Sequence, residues 1–207
     1  MSKYQMNDVS LSRLQIIVLA AGFSSRLGRP KALARVHGVS LLRSTLELAA
    51  TLKCAKIIAV VARRSAQHNA QARGIDVTFV TNSRRNQGLS SSVRRGIAEA
   101  RYAPAVLLLP VDLARLKRRE LARLIRRWRA VPRSVIARRI GRIGAAPLVL
   151  PRRLYPRALR ITGDVGLREL FAQLPAASRV LVDMPSAASD IDTPQDLKAA
   201  RRSFRRR

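Results

Sequence analysis

Seven short apolar runs set the limits on what this chain can become. They lie at Leu14–Ala21, Lys56–Val61, Asp76–Val80, Ala105–Val111, Ser134–Arg138, Pro147–Leu150 and Arg179–Val182. Each is bounded by turn residues and rich in Ile, Val and Leu, the pattern of strands covered on both faces. Between them, apolar residues recur at helical spacing. The pattern predicts helices over Ser40–Leu52, Ser65–Arg73, Leu89–Arg101, Lys117–Ala130, Val165–Gln173 and Pro194–Ser203. Such alternation implies an α/β fold with a mainly parallel central sheet and helices on both faces. Gly141, Gly144 and Pro147 interrupt the second half and predict a hairpin or flap, not a domain boundary. A chain of 207 residues can bury one good core. The expectation is a single domain over 14–204, between a flexible leader at 1–13 and a basic tail at 205–207.

Charge is the unusual feature. Lys and Arg number 41 against 12 Asp and Glu, a net charge of +29. A field of that sign attracts nucleic acid, anionic membranes, polyphosphates or an acidic protein, or is simply a solvated surface with its counter-ions. Aromatic residues are only 4% of the chain, which gives no stacking platform for nucleic acid. An acidic protein partner therefore stays open. In the Lys117–Ala130 helix, Leu121, Leu124, Ile125 and Trp128 form one stripe, with Arg119, Arg123, Arg126 and Arg127 opposite. This arrangement reads as a solvated face. The single cysteine, Cys54, excludes an internal disulfide and suits a reducing cytoplasm. No apolar run is long enough for a membrane span.

In an open parallel sheet, ligands bind beyond the carboxyl ends of the strands. The first strand leads there into Val18-Leu-Ala-Ala-Gly-Phe-Ser-Ser-Arg-Leu-Gly-Arg-Pro-Lys31. Its glycine spacing matches neither the P-loop nor the dinucleotide fingerprint. Gly22 and Gly28 still allow close backbone approach to an anion, with Arg26 and Lys31 as cations. Asp112 follows another apolar strand, and Asp192 lies in Asp190-Ile-Asp-Thr-Pro-Gln-Asp196. There Thr193, Pro194 and Asp196 form a helix start, which leaves Asp192 available as a second metal ligand beside Asp112. The run Asn86-Gln-Gly-Leu-Ser-Ser-Ser-Val93 opens a helix, with N–H groups and hydroxyls suited to a ribose, base or phosphate. Asp164 is a candidate cap. His37 and His68 lack ligand-spaced partners, and no His/Asp pattern accompanies Ser90 to Ser92.

The first motif resembles the L-A-A-G-x-S-x-R-x-G-x-x-K signature of MobA-like nucleotidyltransferases, in particular the molybdenum cofactor cytidylyltransferases. The likeness continues through Gly88-Leu-Ser-Ser-Ser-Val-Arg-Arg-Gly96, Asp112, Gly144-Ala-Ala-Pro147, Gly163-Asp-Val-Gly-Leu-Arg168 and Asp190-Ile-Asp-Thr-Pro194. Leu113-Ala114 follows Asp112 where the family usually has Gln-Pro or Met-Pro. The resemblance implies a Rossmann-like nucleotidyltransferase fold and Mg²⁺-dependent transfer of a nucleoside monophosphate. CTP would be the donor and the terminal phosphate of molybdopterin the acceptor. It places Leu19, Ala20, Ala21, Gly22, Ser24, Ser25, Gly88 and Ser92 at the nucleotide. Arg26 and Lys31 would lie on its triphosphate, and Asp112 and Asp192 on magnesium. An acidic partner would then be a chaperone or a molybdoenzyme. Leu-Ala-Ala-Gly in place of the Leu-Ala-Gly-Gly of guanylyl-transferring relatives favours CTP over GTP, because the extra methyl would occupy space beside a purine. A sugar or polyol phosphate acceptor, or a catalytically idle basic binding module, are the competing readings.

Overall fold

The first strand decides the architecture, because from Ile16 to Ala21 every residue is apolar, on both faces. Ile16, Val18 and Ala20 enter one core, and Ile17, Leu19 and Ala21 enter another. A strand with two buried faces has to sit inside a sheet, with helices above and below it. The structure is a computed structural model that describes residues 13–22, 25–28, 30–164, 166–187 and 190–203. Apart from Arg13, the leader and tail expected from the sequence lie outside the described residues.

Strand β1 (Gln15–Ala20) pairs in parallel with both β4 (Lys56–Val61) and β6 (Ala105–Pro110). Strands β2 (Arg35–Val36) and β3 (Val39–Ser40) form a separate small hairpin that the sequence patterns did not show. They are too short to carry a period, and His37, at φ 49°, sits in their turn. Strands β5 (Thr78–Thr81), β7 (Val135–Ile140), β8 (Ile143–Pro151) and β9 (Arg179–Val182) complete a seven-stranded sheet in the order β5-β4-β1-β6-β8-β7-β9. The sheet is mostly parallel, as expected, with one exception. β8 runs antiparallel to both β6 and β7. The cause is local: Gly141 (φ 57°) and Arg142 make a two-residue turn between β7 and β8, and a turn so tight can only reverse the chain.

Helices α1 (Leu41–Ala50), α2 (Ala66–Gln71), α3 (Leu89–Glu99), α4 (Arg118–Ala130), α5 (Tyr155–Ala158), α6 (Gly166–Ala172) and α7 (Pro194–Ser203) surround the sheet. On one face lie Leu42, Leu46 and Ala49 of α1 with Leu121, Leu124, Ile125 and Trp128 of α4. On the other lie Val93 and Ile97 of α3 with Leu170 and Phe171 of α6. Each such side chain is worth about 1.5–3 kcal/mol when fully buried. The arginine face of α4 is exposed as its period predicts. A third cluster, Leu27, Ala34, Leu41, Ile191, Leu197 and Ala200, clamps the loop after β1 to α7. No helix among the described residues is long and apolar enough to cross a membrane.

Helix α3 lies unusually close to the sheet at Gly96. A Cβ there would overlap Ile17 Cγ2 and crowd Ile17 Cδ1 at 3.2 Å and Val60 Cγ2 at 3.3 Å. Gly96→Val should therefore cost roughly 1–3 kcal/mol through overpacking of a dense core. Urea unfolding would show it as a lower midpoint at unchanged m-value; a midpoint equal to wild type would contradict this close packing.

Candidate active site

The carboxyl ends of β1, β4, β5 and β6 share one rim of the sheet, and most of the residues singled out in the sequence gather there. Beyond β1, Leu19 is 5% exposed, Ala20 9% and Ala21 1%, so all three side chains face protein. This corrects the steric part of the CTP expectation. Strand alternation turns the Ala21 methyl into the core beside α3, not toward a base. What the segment offers a ligand is backbone and Gly22, which is exposed with open space where a Cβ would stand. Ser24 lies outside the described residues. Ser25, Arg26 and Leu27 form a 3-10 turn, and Gly28 reverses the chain at φ 68°.

A second 3-10 turn, Lys31–Leu33, is closed by Leu33 N–H donating to Pro30 O at 3.1 Å and Ala34 N–H to Lys31 O at 3.0 Å. Buried Ala32 anchors it. Lys31 is thereby aimed at two carboxylates. Its Nζ lies 2.5 Å from Asp192 Oδ1 and 3.3 Å from Asp112 Oδ2. Arg26 Nη1 stands 4.0 Å from Asp192 Oδ2 on the solvent side. Burial pushes the Asp112 carboxyl above the usual carboxylate range; Lys31 pulls against this, and the negative charge of Asp190 adds to it. For Lys31, burial alone would lower the ammonium, but Asp112 and Asp192 outweigh it and hold it above its ordinary value.

The backbone explains why the two acids meet. Val111 N–H donates to Leu19 O at 3.4 Å, holding the end of β6 beside the end of β1. Ile191 N–H donates to Asp112 O at 3.0 Å, and the Ile191 side chain is buried with Leu27 and Leu197. Helix α7 starts as the sequence predicts. Asp196 N–H donates to Thr193 Oγ1 at 3.1 Å, and Thr193 N–H and Asp192 N–H donate to Asp196 Oδ2 at 2.8 and 3.0 Å. The hydrogen bonds from Thr193 and Asp192 hold the Asp196 carboxyl below the usual range. Asp196 serves the cap, and Asp192 is left to face Lys31.

Sequence reasoning missed Arg138, which disappears into the Arg-rich background. Its side chain on β7 is 7% exposed and reaches Asp190 Oδ1 at 3.3 Å, with Nη1 also donating to Ala187 O. It props up the segment that carries Asp190 and Asp192. The available signal was weak: two arginines, Arg138 and Arg139, follow the apolar start of the strand, and only the first is buried.

The Gly88 loop is built differently from expectation. Gly88 adopts φ 81°, ψ −176°, a conformation open almost only to glycine. The first N–H groups of α3 already have protein acceptors: Leu89 N–H donates to Asp164 Oδ1 at 2.8 Å, and Ser90 N–H to Gly163 O at 3.0 Å. Asp164 is therefore a cap for α3. Ser92 is 4% exposed, and its Oγ accepts from Asn82 Nδ2 at 3.0 Å. Asn82 also reaches Ser91 Oγ at 2.8 Å and so fastens α3 to the end of β5.

Two cations and two convergent carboxylates on the ligand rim suit a polyphosphate substrate better than any hydrolytic triad. Comparison with known proteins agrees. Residues 16–179 match the MobA-like NTP transferase domain. The chain belongs to that family. It is therefore a nucleotidyltransferase by family. It is 29% identical over 191 residues to a probable molybdenum cofactor guanylyltransferase of Rhodopirellula baltica, covering 87% of this chain and 88% of that one. A protein of the same name from Trichormus variabilis is 29% identical over 200 residues, covering 94% and 93%. A solved nucleotidyl transferase from Methanothermobacter thermautotrophicus shares the fold at TM-score 0.77 and 22% identity, over 94% of this chain and 98% of its own.

The Gly88 geometry makes a prediction. A Cβ at this position would lie 2.7 Å from Asp164 Oδ1 and 2.7 Å from the Gly163 carbonyl carbon. Gly88→Ala should push the two loops apart and cost about 1–3 kcal/mol in strain. Amide exchange at Leu89 and Ser90 should accelerate well before that of the β1 amides. Unchanged protection there would contradict the tie between the loops.

Proposed function

We propose that the protein transfers a nucleoside monophosphate from a nucleoside triphosphate to the terminal phosphate of a molybdopterin-type pterin, releasing pyrophosphate. The observation that carries this reading is the meeting of Asp112, Asp192, Lys31 and Arg26 at the rim below the Gly22 loop. The names of the two curated relatives, matched over most of their length, support the pterin acceptor.

Magnesium fits the donor set. Two hard carboxylate oxygens from different segments already converge on a single cation, the Lys31 ammonium. Among the described residues no third His, Cys, Asp or Glu joins them in a metal-sized group, and Mg²⁺ characteristically takes one or two carboxylates plus substrate phosphates and water. Asp112 and Asp192 would hold it. The ion would supply charge neutralisation at the reacting phosphates. The chain's own groups do the rest. Backbone at Gly22 and the turn at residues 25–28 receive the triphosphate, and Lys31 and Arg26 balance its charge. The acceptor phosphate oxygen attacks the α-phosphorus, the bond to the bridging oxygen breaks, and its electrons leave with pyrophosphate. This chemistry asks for positioning and charge, and no covalent help from the protein.

The base remains a separate question within this reading. Leu19-Ala20-Ala21-Gly22 favours CTP, and the relatives' names favour GTP. Because the Ala21 methyl is buried, it acts on a base only through the height at which it holds the loop. A methyl-sized group in direct contact is worth roughly 1–3 kcal/mol; an effect passed through the loop should fall below that, so kcat/KM should favour CTP by less than about tenfold, and Ala21→Gly should shift the ratio toward GTP. Equal or greater kcat/KM with GTP assigns the chain the activity for which its relatives are named.

Asp112 tests the site itself. Asp112→Asn should keep the fold, because neighbouring Val111 and Leu113 supply the packing, and should lower Mg²⁺-dependent pyrophosphate release by a factor on the order of a hundred or more. Near-normal turnover of this variant at saturating Mg²⁺ would remove Asp112 from the mechanism.

A further inference from the structure

The ammonium of Lys31 stands on the point where the Asp112 and Asp192 carboxylates converge, at 3.3 and 2.5 Å. The proposed function assigns those carboxylates to Mg²⁺. A metal ion bound by carboxylates at about 2.0–2.1 Å and an ammonium in the same place exclude each other sterically and by charge. Lys31 is also no loose surface lysine: its side chain is 16% exposed, and its backbone is fixed in the 3-10 turn.

The charge count sharpens the point. Asp112 and Asp192 are balanced by Lys31 and Arg26, and the neighbouring Asp190 is balanced by Arg138. A divalent ion arriving alone enters a site that is already neutral and adds two positive charges beside Lys31 and Arg26. A triphosphate arriving with it supplies the missing negative charge. It also gives the ammonium somewhere to go, since a lysine head on a four-carbon stem can swing between acceptors while its backbone stays in place. Arg26 stays outside this switch; its side chain is 76% exposed and its 4.0 Å approach to Asp192 is screened by solvent.

We propose that Lys31 is the built-in counter-ion of the carboxylate pair and makes metal and nucleotide bind as one unit. The pair takes a divalent ion tightly only when a triphosphate draws the ammonium off it. This rests on the metal reading above and deepens it. Linkage makes the coupling reciprocal: the metal tightens nucleotide binding by the same factor by which the nucleotide tightens metal binding. Removing the ammonium should therefore do something unusual for a catalytic-site substitution. It should improve binding of one substrate component while impairing the other.

The experiment measures Mn²⁺ binding by electron paramagnetic resonance and calorimetry, with no turnover involved. The samples are wild type, Lys31→Met and Asp112→Asn, each with and without a CTP analogue carrying a methylene bridge between its α- and β-phosphates. Thermal melts check that the variants are folded. Without nucleotide, Lys31→Met should bind Mn²⁺ at least tenfold more tightly than wild type, and Asp112→Asn should not bind it measurably. The analogue should tighten Mn²⁺ binding strongly in wild type and several-fold less in Lys31→Met. Equal or weaker Mn²⁺ binding by nucleotide-free Lys31→Met, with wild type still showing nucleotide-dependent binding lost in Asp112→Asn, overturns the role of Lys31 and leaves the metal site standing. Absence of Mn²⁺ binding in wild type even with the analogue overturns both.

Discussion

Three stretches of chain far apart in sequence are held together by one ionic junction, Lys31 with Asp112 and Asp192. The loop after β1 brings the ammonium, the end of β6 brings one carboxylate, and the segment before α7 brings the other. Opposed charges alone would not hold such a junction at a solvent-facing rim, where ion pairs are weak. Apolar and backbone anchors do that work. Leu27 and Ile191 share a small core, and the Ile191 amide is bonded to the Asp112 carbonyl. The charged groups are therefore preorganised, which lets them act on a polyphosphate without a large ordering cost.

The sheet divides labour between its middle and its rim. Along β1, alternate side chains are spent on the two cores, so by Ala21 the strand has no side chain left to offer a ligand. Backbone and glycine take over just where the chain leaves the sheet. The same economy governs α3. Its first amides are consumed by Asp164 and Gly163, so the helix start ties two loops together and is not an open anion site. Arg138 is the costly member of this design, a guanidinium placed almost wholly inside, with a buried Nε that has no hydrogen-bond partner. Its two bonds to the segment ahead of Asp192 are what it provides in return.

Much of this was legible in the amino-acid pattern, for physical reasons. Strands buried on both faces show as near-unbroken Ile, Val and Leu, so β4 was located to the residue and β1 and β6 to within one; the half-buried edge strand β9 was located from its short Val-Leu-Val run. Thr193, Pro194 and Asp196 carry capping chemistry that depends only on local geometry, so α7 was found at its true start. What escaped depends on contacts distant in sequence. The antiparallel course of β8 is not among these: it follows from the local Gly141–Arg142 turn, where the glycines predict a hairpin. The burial of Ala21 and Ser92 follows from which face of β1 and α3 each occupies. The role of Arg138 was hidden because one arginine among 41 basic residues carries no signal until its surroundings are known.

The central claim is that a nucleoside monophosphate, and not a terminal phosphoryl group, moves to a phosphorylated pterin at this junction. Isotopic labelling of the donor at either end tests it most directly. With Mg²⁺ and molybdopterin, label at the α-phosphate of the nucleoside triphosphate should appear in the pterin product, and label at the γ-phosphate should appear only in pyrophosphate. Transfer of the γ-label to the pterin, or release of the α-label as free nucleoside monophosphate with none in the pterin, would contradict the account.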